Sequence, residues 1–398
     1  MPDYVVVVLG DIGRSPRMQN HAVCLSKLPD ATVHLVGYMD SPLFQELQTA
    51  KNIKIHGIKP FINLPRILFP IYAPFKILFL LFQLFILFFT LPRFQLLIAQ
   101  NPPSIPTIPF CWLLCLLKRG RFVIDWHNLG YSILECNKTS PLIVKIAKFF
   151  ELLFGKWATA HITVTNALKT FLKTQNINSS VVYDRPSSLF KSDRSRRKEF
   201  ADKLGIEDSS IWIVSSTSWT PDEDIEMLLT TANLLDDELN DLSQDSEDDI
   251  NITIIITGKG NNRWFQSEVV GRNYVHITFK LTFFEKYEDY AAFLGCCDIG
   301  VSLHRSSSGY DLPMKGLDMI GAGLPLLSIN YSCIDELVQE TYNGLLFDNA
   351  NDLAEILKKL LVTKEIDLQK LRDGAQQSGE KKWEAIWNES AKPVLVSM

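Results

Sequence analysis

The sequence predicts an α/β protein of two Rossmann-like domains, each built on a parallel sheet, facing one another across a cleft. Three observations lead there. Short apolar runs of strand length alternate with helical stretches along the whole chain, the repeated β-α-β pattern of parallel sheets covered on both faces. The pattern halts at a charged stretch, Lys191–Lys203, and restarts near residue 210. The length, 398 residues with 46% hydrophobic content, suits two domains of ordinary size.

The first group of strands reads as Tyr4–Leu9, Thr32–Val36, Ile53–His56, Leu96–Ala99, Phe122–Ile124, Ile162–Thr165 and Val181–Tyr183. The second reads as Ile211–Ser215, Ile252–Thr257, Val275–Phe279, Ile299–Leu303, Leu326–Ile329 and Leu345–Phe347. Domains of 1–205 and 206–378 follow, with a closing helical segment, 379–398, packing back towards the first. Trp383 and Trp387, at i and i+4 on that segment, read as a packing stripe. Asp236–Asp249 (DDELNDLSQDSEDD) is acidic and poor in apolar residues, and reads as a solvated loop.

Residues 67–91 depart from this regularity. Within them Ile77–Leu91 carries only Gln83 and Thr90 as polar members, so it is apolar on every face. Its helical length, roughly 22 Å, falls short of the roughly 30 Å hydrocarbon core. A crossing there would also separate Tyr4–Leu9 from Phe122–Ile124, which belong to one sheet. The segment is therefore read as a monotopic anchor dipping into one leaflet, with Lys76, Arg93, Lys118, Arg119 and Arg121 meeting anionic headgroups. A buried core helix is the alternative.

The net charge of −5 and a pI near 5.9 exclude bulk electrostatic binding to nucleic acid. The seven cysteines include no Cys-x-x-Cys pair and read as reduced packing residues facing the cytosol. The first strand begins almost at the initiator methionine, so no signal peptide is expected.

Chemistry concentrates at strand ends. In Ser306-Ser307-Ser308-Gly309-Tyr310-Asp311-Leu312-Pro313-Met314-Lys315, Asp311 stands at an expected N-cap with Pro313 inside the first turn. A helix start there directs free N–H groups and the positive helix end at a phosphate or diphosphate. Lys315 adds a charge, and Asp318, three residues on, reaches a ribose or sugar diol. Ser216 and Thr217 close one strand with hydroxyls, and Lys259 closes another between Gly258 and Gly260. With no metal-ligand spacing at any strand end, the set points to a nucleotide diphosphate held without a metal and with no cofactor. Stimulation by a divalent cation is left open.

In the first domain, Gly10-Asp11-Ile12-Gly13-Arg14-Ser15-Pro16-Arg17 is either a phosphate turn served by Arg14 and Arg17 or a tight turn with incidental arginines. Asp125-Trp126-His127-Asn128 follows a buried strand, at the carboxyl edge where α/β sheets bind ligands. An acid, an imidazole and an amide there can orient a sugar hydroxyl or exchange its proton.

The blocks GDIGRSPRM, QNPPSIPT, DWHNLGYS, YDRP, SSTSWTPDED, ITGKG, SLHRSSSGYDLPMKGLDM and NGLLF, in order from Val5 to Phe347, resemble the chitobiosyldiphosphodolichol β-mannosyltransferases. The resemblance implies a GT-B glycosyltransferase fold and transfer of mannose from GDP-mannose to GlcNAc2-diphosphate-dolichol. The product would be the first β-1,4-linked mannose of the lipid-linked oligosaccharide for protein N-glycosylation. It implies inversion at the sugar carbon, residence at the cytosolic face of the endoplasmic reticulum membrane, and other mannosyltransferases of the pathway as partners. Ser216, Thr217, Lys259, Asp311, Lys315 and Asp318 would bind the donor, and Gly13, Arg14, Arg17, Asp125 and Asn128 the acceptor. His127 and Asp11 are the candidate bases, with His127 preferred.

Two features depart from the family's pattern. Its members usually carry an amino-terminal anchor, which leaves Ile77–Leu91 as the expected anchor here. Where retaining GT-B enzymes place a glutamate at both ends of a seven-residue gap, this chain has Tyr310 and Asp318, so only the contact at Asp318 carries over. The rival readings are a retaining GDP-mannose transferase acting on another lipid and a non-catalytic GT-B scaffold that recruits other mannosyltransferases.

Overall fold

The computed structural model describes residues 2–61, 69–220, 223–243 and 250–396. The chain folds into two compact units, Met1–Tyr183 with Glu384–Met398 and Asp184–Trp383.

The first unit holds seven strands: β1 Asp3–Asp11, β2 Thr32–Tyr38, β3 Ile53–Ile58, β4 Leu96–Asn101, β5 Arg121–Trp126, β6 Ala160–Thr163 and β7 Ser180–Val181. They form one sheet in the order β3-β2-β1-β4-β5-β6-β7, every pair parallel. Four consecutive valines, Val5–Val8, are at most 1% exposed, so both faces of β1 are buried, as a central parallel strand requires. Strand order reverses between β1 and β4, and the crevice at such a point is where doubly wound sheets take ligands.

The second unit repeats the plan with β8 Ile211–Ser216, β9 Ile252–Thr257, β10 Ile277–Thr282, β11 Ile299–Ser302, β12 Leu326–Ile329 and β13 Gly344–Phe347. Their order, β10-β9-β8-β11-β12-β13, reverses between β8 and β11. The alternation along β8 sets the two cores. Ile213 packs with Leu228, Phe265 and Leu353, while Trp212 and Val214 pack with Phe200, Phe293 and Met319. Every strand read from the sequence is present.

Several expected boundaries shift. The division falls at Tyr183/Asp184 and not near 205, because the charged stretch is an integral part of the second unit. Arg194, Arg197 and Arg372 converge on the Asp298 carboxylate, and the Arg197 guanidinium stacks 4.1 Å from the Trp212 ring centroid. The helix Arg197–Leu204 then buries Phe200, Ala201 and Leu204 in that core.

The acidic stretch is helical through Ser243, continuing the helix Ile225–Ser243, and 244–249 lie outside the described residues. Asp236 caps the chain ahead of β10, its carboxylate accepting from the amides of Val275 and His276. The apolar run lies on the helix Phe69–Thr90; 67 and 68 fall outside the described residues. It is neither fully buried nor detached. Leu84, Leu87 and Leu91 are buried, while Phe75, Ile77, Leu78, Phe82, Phe85 and Phe89 are each more than half exposed. Gln83, its one polar member in the middle, exchanges two hydrogen bonds with the backbone of Lys59, at 2.8 and 3.1 Å. Among the described residues no helix is long and apolar enough to cross a membrane.

Candidate functional site

In the second unit the loops after β8, β9 and β11 converge at the carboxyl edge. Two adjoining cavities of about 250 and 310 Å³ open there and share Ser216 and Lys315. Gly258, after β9, holds φ +149°, and a Cβ on it would lie 1.7 Å from the Thr217 carbonyl. Only glycine lets these two strand ends close to form the cavity wall.

Lys315 stands in the first turn of the helix Met314–Gly321. Its Nζ donates to Ser218 Oγ at 2.9 Å and to Glu223 Oε1 at 2.5 Å. Glu223 is nearly buried and also accepts from the Thr217 hydroxyl at 2.8 Å and the Ser218 amide at 2.5 Å. One carboxylate thus sets both the lysine and the hydroxyl loop after β8. Glu223 is the main residue missed in the sequence, where it reads as one more acid in SWTPDED; Pro221 and Asp222 beside it lie outside the described residues. A buried acid seven residues past a strand end carries no pattern of its own.

Asp318 lies on the larger cavity with Tyr287, whose hydroxyl donates to Asp318 Oδ2 at 3.3 Å. Loss of hydration pushes its carboxyl up to about 8, with the Tyr287 hydrogen bond opposing the shift. Lys259 is exposed, its Nζ 5.8 Å from the Phe283 ring centroid. Asp311 does not cap the helix. Pro313 occupies the N-cap, and the Asp311 carboxylate accepts from Ser306 and Ser308 while facing His304 Nε2 at 3.7 Å. It organises the serine loop, because a carboxylate two residues before the cap is out of reach of the helix amides.

In the first unit the predicted residues separate into buried and open groups. Asp11 Oδ1 accepts from the amides of Gly13, Asp40 and Ser41, each at 3.2 Å. Burial raises its pKa, but the Ser41 side chain and these amides outweigh burial and lower it from its ordinary value. Gly13 is required by its own chain, since a Cβ there would lie 2.6 Å from the Ser41 carbonyl. Arg14 is open, with Nε 3.6 Å from Asp11 Oδ2.

Arg17 and Asp125 are corrected from acceptor contacts to buried framework. Arg17, 3% exposed, donates Nε and Nη2 to the two oxygens of the fully buried Asp125 at 2.7 and 3.0 Å, and Nη1 to the Val182 carbonyl. His21 Nε2 lies 3.1 Å from Asp125 Oδ2, and His127 Nε2 lies 3.2 Å from the same oxygen. Arg17 overcomes the penalty of burial and keeps the Asp125 carboxyl well below its ordinary range. Of this group His127 alone is half-buried, with 21% of its side chain exposed. Asn128 turns its own Oδ1 onto the Leu129 amide. The buried Glu151 then holds the next turn, accepting from Asn101 Nδ2 and the amides of Gly130 and Tyr131.

Residues 210–363 match the family described as Glycosyl transferases group 1. Over 98% of this chain and 93% of its own length, a chitobiosyldiphosphodolichol beta-mannosyltransferase of Dictyostelium discoideum is 35% identical. A protein of Arabidopsis thaliana named UDP-glycosyltransferase TURAN is 34% identical over 99% of this chain and 97% of its own. Among solved structures, Anabaena HepE with UDP and glucose superposes over 98% of both chains with a TM-score of 0.66 at 14% identity, a likeness of fold. The two parallel-sheet units have the GT-B fold, and the chain is a glycosyltransferase.

Proposed function

This chain belongs to the chitobiosyldiphosphodolichol β-mannosyltransferase family, and from that premise we propose that it transfers mannose from GDP-mannose to GlcNAc2-diphosphate-dolichol with inversion. The observation that carries the donor half is the line of groups along one cavity edge. Lys315, held by Glu223 and Ser218, is followed one helical turn later by Asp318, with Ser216 and Thr217 opposite. A cation, hydroxyls and a carboxylate in that sequence suit a diphosphate followed by a diol.

In the reaction, the acceptor sugar hydroxyl oxygen attacks the anomeric carbon of mannose while the bond from that carbon to the phosphate oxygen breaks. The electron pair leaves with GDP, where Lys315, Lys259 and the start of the helix Met314–Gly321 stabilise the charge. His127 takes the hydroxyl proton. Its support is the pairing with Asp125, which aims one ring nitrogen inward and leaves the other side of the ring open. Arg14, exposed beside Asp11, is the cation available to the acceptor diphosphate.

Residence at the cytosolic face of the endoplasmic reticulum is part of the same reading. Its membrane attachment is supported by the exposed apolar face of the helix Phe69–Thr90, with Leu84 and Leu87 fixing the opposite face to the unit. The name of the Arabidopsis relative favours a second reading, a UDP-sugar as donor. One experiment separates the readings: labelled GDP-mannose or UDP-glucose with a synthetic chitobiosyl-diphosphate lipid, with and without chelator, and the product treated with an anomer-specific mannosidase. A β-linked product from GDP-mannose supports the proposal. An α-linked product, transfer only from UDP-glucose, or no transfer by a chain that binds the donor would overturn it.

A further inference from the structure

The segment Glu384–Met398 belongs to the first unit although the whole second unit precedes it in the sequence. It contains a π-helical turn, Trp387–Ala391, between the helices Trp383–Ile386 and Lys392–Val396. Such turns are rare and recur at functional sites. This one begins at Trp387, which is 2% exposed and donates its indole Nε1–H to His21 Nδ1 at 3.0 Å.

We propose that Trp387 is a positioning residue for His127, acting through His21 and Asp125. An indole nitrogen only donates, so His21 Nδ1 must present its lone pair. The ring hydrogen of neutral His21 is then on Nε2, where it donates to Asp125 Oδ2 at 3.1 Å. A cationic His21 would turn an N–H against the indole N–H, so the contact selects the uncharged ring. Burial of His21 acts in the same direction, lowering its pKa. The titratable and charged groups facing His21 include Arg17 from its own helix, Asp125 from β5 and His127 from the loop that follows.

With His21 neutral, the Arg17–Asp125 pair beneath His127 sums to zero charge and offers it the Oδ2 oxygen at 3.2 Å. If His21 gains a proton, the cluster gains a positive charge and Oδ2 is drawn to the new cation. His127 is then held less firmly and accepts a proton less readily. The indole N–H thus maintains both the charge and the orientation of the group below the candidate base.

The inference rests on the reading of His127 as the base, and its test separates the two. The full chain is labelled with 15N-histidine, and ring-nitrogen shifts are followed with pH in the native protein, Trp387→Phe, His21→Gln and the double variant. Native His21 is expected as the Nε2–H tautomer. In Trp387→Phe that tautomer is lost, His127 titrates lower by roughly half a unit or more, and kcat falls about tenfold or more with the donor KM nearly constant. On the His21→Gln background, adding Trp387→Phe moves nothing further.

An unchanged His127 titration in a folded Trp387→Phe variant overturns the coupling, whatever the turnover. A further shift on the His21→Gln background also overturns it, because Trp387 would then act by another route. If Trp387→Phe does not fold, an unchanged His127 titration in His21→Gln is the overturning result. A shifted titration with native turnover leaves the coupling standing and removes His127 as the base.

Discussion

Lys315→Ala separates two roles that the geometry gives to one side chain. Lys315 neutralises Glu223, and it faces the cavity proposed for the donor diphosphate. Removing one partner of a fully buried pair costs roughly 3–5 kcal/mol. Here Glu223 keeps its bonds from Thr217 and Ser218, and the Lys315 side chain is 35% exposed, so solvent screens part of that penalty. The expected loss is about 1–2 kcal/mol, or a fall in Tm of roughly 3–6 °C for a unit of this size. Transfer should drop by about a hundredfold or more, the range for a single lost charge-stabilising donor. The paired variant Lys315→Ala/Glu223→Gln removes the stranded carboxylate as well. It should recover most of the thermal stability while leaving transfer low, as measured by calorimetry and by mannose incorporation at saturating acceptor. Recovery of transfer in the double variant would show that Lys315 serves only to balance Glu223, and the phosphate assignment would fail.

The pH dependence of donor binding tests Asp318. Its carboxyl titrates near 8, and a sugar diol donates best to the ionised form, so affinity should rise with pH through that value. The gain is roughly tenfold between pH 7 and 9, and calorimetry should find it absent in Asp318→Asn. His127→Ala should lower kcat by about 10²–10⁴-fold with donor Kd within a few-fold of native; equal loss of donor binding would count against its assignment as base. Charges introduced as Leu81→Asp and Phe85→Asp, at positions 45% and 60% exposed, should release the protein from liposomes without unfolding it. Each costs roughly 2.5–3.5 kcal/mol at apolar depth, and transfer to a short-chain soluble acceptor should persist. Retention on liposomes by the doubly charged variant would refute docking through this helix.

The strand plan was legible because a parallel strand buried on both faces must be apolar throughout, as in Val5–Val8 and Ile254–Ile256. The strand-end motifs were legible for a related reason. Backbone near a ligand needs particular residues, and Gly258 with its positive φ marks such a place in the sequence. Lys315 and Asp318 were found together because residues three apart on a helix share a face. Those patterns are local, and composition or spacing records them.

What tertiary structure alone decided was which polar residues face the cavities and which hold one another. Arg17 and Asp125 are 108 positions apart, and their pairing converts two apparent acceptor contacts into a buried framework. Asp11 and Asp125 are both acids at strand ends. One gathers three backbone amides on a single oxygen and the other is held by a guanidinium and an imidazole, a difference set by the chain that packs over each. Glu223 became visible only when the strand loop and the helix Met314–Gly321 were brought together, and Trp387 only when the closing segment met His21 from 366 residues away. Burial makes each of these polar groups dependent on a partner, and the fold determines the partner through contacts that no local stretch of sequence contains.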